Sequence, residues 1–140
     1  LKNDGTLFQY GLFLKKMNGN EAEGILREAL RETREHMLKT PDKPAPNILA
    51  GKIFKELNQP TLAQKEFTEA LRKDQIRLAQ ATLNWQKTTV LKSMGETYME
   101  MGEYALAKDN LQKAYEYAED GGTKAGIRKL LKMLSSDKNL

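Results

Sequence analysis

At 140 residues, with 23 basic against 19 acidic side chains and no cysteine, the chain has the length of one domain, is mildly basic and lacks thiols. That excludes a disulfide framework or a thiolate metal site and favours a reducing compartment, the cytoplasm. No apolar run nears the roughly 20 residues a membrane span needs; the longest, Tyr10 to Leu14, is broken by Gly11 and followed by Lys15 and Lys16. A chain opening on Leu1 is expected to be a piece of a longer or processed protein.

Taken in order, the apolar residues recur at helical spacing and nowhere alternate with period two, so the fold class is all-α. Breakers at Met17–Asn20, Lys39–Pro46, Leu57–Pro60, Met101–Glu103 and Glu119–Thr123 divide the chain. The uninterrupted stretch from Pro60 to Gly102 is too long for one ordinary helix and is split near Thr82–Asn84, with Asn84 as N-cap. Seven helices result, over about 5–17, 20–39, 46–57, 60–81, 85–101, 104–119 and 123–135. Pro60 suits a first helical turn, and Gly102 and Gly121 suit left-handed positions past helix ends.

A repeat runs through these helices. Gly95, Tyr98, Gly102, Tyr104, Ala107, Leu111 and Ala114 share their spacing with Gly51, Phe54, Asn58, Pro60, Ala63, Phe67 and Ala70. A weaker copy has Gly11, Leu14 and Asn18, then Ala22, Leu26, Ala29 and Leu30 after a turn one residue shorter. This order resembles the tetratricopeptide repeat, a helix-turn-helix unit with a large residue, a glycine and a tyrosine on its first helix and Ala, Phe or Leu, and Ala on its second. The large positions are Leu91 and Met94 in one copy but Asn47 and Ala50 in another, no proline follows Ala114, and the period is 40 to 44 residues against the usual 34.

The resemblance implies a right-handed superhelix of antiparallel hairpins, an α-solenoid, over a single domain 1–140. Its repeats would lie at about 4–39, 44–81 and 85–119, with 123–135 as a capping helix whose apolar face is Ile127, Leu130, Leu131 and Leu134. Gly51 and Gly95 would be the side-chain-poor spots where the second helix approaches, at Ala63 and Ala107. Phe54, Tyr98 and Phe67 would fill the wedge beside each contact.

Chemistry has few parts to work with. The single histidine, His36, stands near a helix end, where a cation suits the dipole. Glu32 with Glu35, and Glu96 with Glu100, have same-face spacing that charged helix surfaces produce routinely. Phosphate-cradling glycine loops are missing, and Trp85 reads as a core or interhelix residue. Near the C-terminus Lys124, Arg128, Lys129, Lys132 and Lys138 face only Asp137, a basic run without interleaved aromatics and hence a poor nucleic-acid signature. No catalysis, cofactor or metal is expected.

What the resemblance implies is a scaffold or adaptor that takes a peptide or helix of a partner protein in a concave groove lined by the first helices. The groove positions are Phe8, Leu12, Lys15 and Lys16; Ile48, Leu49, Lys52 and Lys55; and Lys92, Glu96 and Met99. Relatives that clamp a terminal carboxylate use lysine, asparagine and arginine donors, whereas the matching positions here are Phe8, Leu12, Leu49, Thr89 and Ser93, so no such clamp is expected. The alternative is a peptide-responsive regulatory domain of a signalling protein. Nucleic acid and membrane are not the expected partners, and self-association through an exposed terminal repeat stays open.

Overall fold

The computed structural model describes residues 3–136; Asp137 and Lys138 of the basic run lie outside them. Seven helices and no strands are found among the described residues: α1 Asp4–Lys16, α2 Ala22–Lys39, α3 Ala45–Glu56, α4 Pro60–Gln80, α5 Asn84–Glu100, α6 Tyr104–Tyr117 and α7 Gly121–Ser136. They form two compact units parted between Ala70 and Leu71, inside α4. The first holds α1, α2, α3 and the start of α4; the second holds the rest of α4 with α5, α6 and α7.

Each hairpin closes the same way. Asn18, Asn58 and Gly102 take left-handed φ of 57°, 59° and 78° just past α1, α3 and α5. The next residues, Gly19, Gln59 and Glu103, donate their N–H back to the carbonyls of Leu14, Phe54 and Tyr98 at 2.7, 2.9 and 2.9 Å. Asn18, Asn58 and Gly102 themselves donate to Lys15, Lys55 and Met99 at 3.1, 3.0 and 3.1 Å. This double bond is the Schellman closure, which satisfies the orphan carbonyls of a helix end and turns the chain sharply. Asparagine serves twice because, after glycine, it tolerates this conformation best.

The repeated glycines are notches, though not where the small-residue pairing puts them. A β-carbon on Gly11 would stand 2.6 Å from Leu26 Cδ2, on Gly51 2.6 Å from Phe67 Cδ1, and on Gly95 2.7 Å from Leu111 Cγ. The space is taken by a large side chain one turn beyond the alanine, rather than by the alanine itself. Ala63 and Ala107 are buried nearby, and the Ala107 carbonyl lies 3.4 Å from the Gly95 notch. Three hairpins therefore share one lock, a leucine or phenylalanine of the second helix seated on a glycine of the first.

Helix starts explain the remaining differences from expectation. Asn84 is the first residue of α5 and Leu83 its cap; the Gln86 carboxamide oxygen instead accepts the N–H groups of Thr82 and Leu83, both at 3.0 Å. Gly121 opens α7 and has no left-handed φ, because Asp120 caps that helix: Thr123 donates its N–H at 3.0 Å and also its hydroxyl to the Asp120 carboxylate. Thr123 thus holds the Asp120 carboxyl below the usual carboxylate range. The first copy's second helix begins at Ala22, later than 20, which accommodates its shorter turn.

In the second unit Leu91, Ala107, Leu111, Ala114, Ala118, Ile127 and Leu134 form a core, with Leu130 and Leu131 packed on its edge. The four apolar residues expected on one face of α7 are thus together. Within the same unit Asp74 is fully buried, accepting from the Ser93 hydroxyl at 2.6 Å and from Arg77 Nη1 at 3.2 Å. Burial pushes its carboxyl pKa up, with the Ser93 and Arg77 contacts offsetting part of that rise.

Candidate partner-binding surface

The surface begins with α1. Asn3 caps it, its side chain accepting the Thr6 N–H at 3.0 Å, and Gly11 turns one face onto Leu26 of α2. The helix also carries apolar residues on a face that finds no cover within the first unit: Phe13 is 58% and Met17 66% exposed, and Tyr10 is exposed too. Positions 10, 13 and 17 follow helical spacing and so form a stripe.

Beside that stripe lies a depression of about 550 Å³ lined by Gln9, Leu12, Phe13, Lys15, Lys16 and Glu56. Its floor joins α1 to the end of α3: Lys15 Nζ donates to the Glu56 backbone carbonyl at 2.9 Å and to its carboxylate at 3.0 Å. One lysine thereby caps the last turn of α3 and neutralises the acid beside it, consistent with a cation at a helix C-terminus. As a partly exposed pair it contributes at most about 1 kcal/mol to stability, so its main effect is to fix the edge of the depression.

Of the expected groove residues, Leu12, Lys15 and Lys16 come together here. Phe8 is buried and committed to packing against its own unit. Ile48, Leu49 and Lys52 are half-buried on α3 and Lys55 is exposed; none of them lines the depression. In the second unit Lys92 and Met99 are half-buried, with Met99 packed on the core, and Glu96 is exposed. Phe13 and Glu56 were not among the expected residues. Glu56 had a signal in the sequence, an acid at the end of the second copy's first helix across from a lysine pair at the end of the first copy's.

Other features have structural explanations. His36 Nδ1 lies 3.1 Å from Asp4 Oδ2, tying the last turn of α2 to the first turn of α1. Glu32, Glu35, Asp4 and His36 surround a shallow 240 Å³ cavity, and among the described residues no group of three or more His, Cys, Asp or Glu could hold a metal ion. Trp85, expected as a core or interhelix residue, is outside the core at 64% exposed, because it occupies the first turn of α5 ahead of Thr88, where burial of that helix begins; it lines a cavity between the end of α4 and the start of α5. No described helix is long and apolar enough to cross a membrane.

At the other end of the chain, a trough of about 490 Å³ lies between α6 and α7, lined by Gln112, Tyr115, Glu116, Arg128 and Leu131. Arg128 Nη2 donates to the Tyr115 hydroxyl at 2.7 Å, and Lys124 Nζ stands 4.9 Å from the centre of the same ring. Arg128, through that bond and its charge, draws the hydroxyl below the usual tyrosine range. The sequence matches no model of a known protein family, and a search of curated proteins finds no relative.

Proposed function

We propose that the chain is a helical-repeat scaffold of tetratricopeptide type, working in a reducing compartment such as the cytoplasm. It would bind a peptide or helical segment of a partner protein along its first helices and carry out no catalysis. The reading rests on one observation, the threefold recurrence of a glycine notch and a Schellman closure at matching positions. Stacked helical hairpins of this kind expose the faces of their first helices and serve by what they hold. An amphipathic partner with acidic residues suits an apolar depression edged by Lys15 and Lys16.

Affinity capture with the wild-type chain and with a Leu12→Glu, Leu49→Glu, Lys52→Glu variant tests this reading. The expected result is a partner protein held by the first and lost by the second, with unchanged circular dichroism. Retention of the same partner by the variant contradicts a site on these helices. Capture of nucleic acid, with steep salt dependence, contradicts the scaffold reading itself.

A further inference from the structure

Asp74 is a buried carboxylate that the surface around Leu12 does not use. A buried ion pair is a weak source of stability; what this one does is hold a side chain in place. Asp74 Oδ2 accepts from the Ser93 hydroxyl and its Oδ1 from Arg77 Nη1, while the Arg77 side chain stays 40% exposed. Arg77 makes no other side-chain hydrogen bond among the described residues, so its remaining guanidinium N–H groups are open. It lines a cavity of about 240 Å³ between the end of α4 and the start of α5, inside the second unit.

The rest of the lining is rich in donors. Gln80 stands three residues on from Arg77, and Trp85 and Thr89 are four apart, so each helix gives one face to the cavity, with Ala81 and Val90 as its apolar part. Trp85 is 64% exposed, and among the described residues no cation lies over its ring and no group accepts its indole N–H. The Gln86 carboxamide oxygen is taken by the Thr82 and Leu83 N–H groups, which leaves its amide NH₂ as the open group. Thr89 donates its hydroxyl proton to the Trp85 carbonyl. Open acceptors are therefore few, the Gln80 carboxamide oxygen and the Thr89 hydroxyl oxygen. Arg77 is the one charged residue of the lining, and Asp74 behind it balances that charge.

We propose that this cavity takes a proline-rich segment of a partner protein in the polyproline II conformation, with a pyrrolidine ring against Trp85 and backbone carbonyls on the N–H groups of Arg77 and Gln86. A proline segment presents carbonyl oxygens and no N–H of its own, so it satisfies a donor-rich wall and leaves nothing unpaired. An ordinary extended peptide brings an N–H with every residue, for which this wall has too few acceptors. An acidic peptide meets an arginine already balanced. The cavity is also smaller than the roughly 300–1,000 Å³ of small-molecule sites, which suits an anchoring ring of a longer chain. An exposed indole beside such donors matches the way aromatic surfaces take pre-extended proline segments. The site shares no residue with the surface around Leu12.

Trp85 is the only tryptophan of the chain, so its fluorescence reads the site directly. Acetyl-hexaproline amide titrated into the full chain is expected to shift that emission saturably to shorter wavelength. A neutral glycine-serine hexamer and hexaglutamate are expected to bind at least about tenfold more weakly. Arg77→Lys, which keeps a charge for Asp74 but loses the planar fork, is expected to weaken hexaproline binding about tenfold, and Asp74→Asn, which releases Arg77, to do the same. Trp85→Ala, followed by the amide signals of Gln80 and Thr89, is expected to abolish it with melting unchanged. No saturable shift, an equal response to the glycine-serine hexamer, a stronger one to hexaglutamate, or binding retained by Trp85→Ala overturns the proposal. The Leu12→Glu, Leu49→Glu, Lys52→Glu variant is expected to bind hexaproline as the wild type does, so the two sites stand or fall separately; loss of binding in that variant would place the proline segment elsewhere and overturn this assignment.

Discussion

Three residues past helix ends carry much of the turning in this chain. Left-handed backbone costs an ordinary L-residue about 1–2 kcal/mol, and glycine nothing comparable. Gly102→Ala is therefore expected to destabilise the chain by about that amount, although the new methyl group meets nothing within 4 Å. Asn58→Gly should be neutral or stabilising in the same chemical denaturation assay. Equal effects of alanine at Gly102 and at Gly24, a helical glycine with open surroundings, would show that the left-handed φ is not what matters.

Among helices, two carboxylates behave in opposite ways and make separable predictions. Asp74 is buried with a raised pKa, so the folded state holds its proton more tightly than the unfolded chain. Its contribution is present in full below the ordinary value of 3.8 and is lost as pH rises through the raised folded value. Asp74→Asn, which keeps an acceptor for Ser93, is expected to remove that decline from a plot of stability against pH. An unaltered slope would mean that the buried carboxyl does not titrate there. Asp120 has the reverse sign: its carboxyl is depressed by Thr123, so its stabilisation of α7 is present above the ordinary 3.8 and lost as pH falls through the lower folded value. Asp120→Ala should lower the melting temperature at neutral pH and cease to matter in strong acid. Persistence of the difference in acid would contradict the charged cap.

The elements were legible because their punctuation is chemical. Pro60 and the split near residue 82 lie where their local signals put them, and every helix was located to within two residues at each end. Misreadings came where two meanings share one residue. Gly121 has the sequence context of a left-handed stop, but Asp120 capping Thr123 makes it a start. The glycine notch signals a close approach, but spacing points to the alanine one turn early, because sequence spacing does not say which side chain leans into a gap. Trp85 reads as a core or interhelix residue, and its place in the first turn of α5 leaves it between helices and outside the core. Of the expected surface, Leu12, Lys15 and Lys16 were visible as the end of a first helix. Phe13 carries no such signal, and Glu56 shows only as an acid at a helix end, since their juxtaposition depends on where the end of α3 meets α1. The buried Asp74, Ser93 and Arg77 group left no signal distinguishable from ordinary helix polarity.

Across the molecule, one lock occurs three times: Leu26 on Gly11, Phe67 on Gly51 and Leu111 on Gly95. Helix propensity favours replacing each glycine with alanine by about 1 kcal/mol, whereas overpacking a filled core costs about 1–3 kcal/mol, so the notch should win wherever the gap is occupied. At Gly126, where nothing lies within 4 Å, alanine should instead stabilise by about 0.5–1 kcal/mol. Double-mutant cycles measured by chemical denaturation decide the matter, with Gly11→Ala against Leu26→Ala, Gly51→Ala against Phe67→Ala, and Gly95→Ala against Leu111→Ala. The repeat account predicts that each glycine substitution destabilises the wild type but becomes neutral or stabilising once the facing side chain is cut back. Additive losses in all three cycles would mean that these glycines and these side chains do not share a space, and would contradict it.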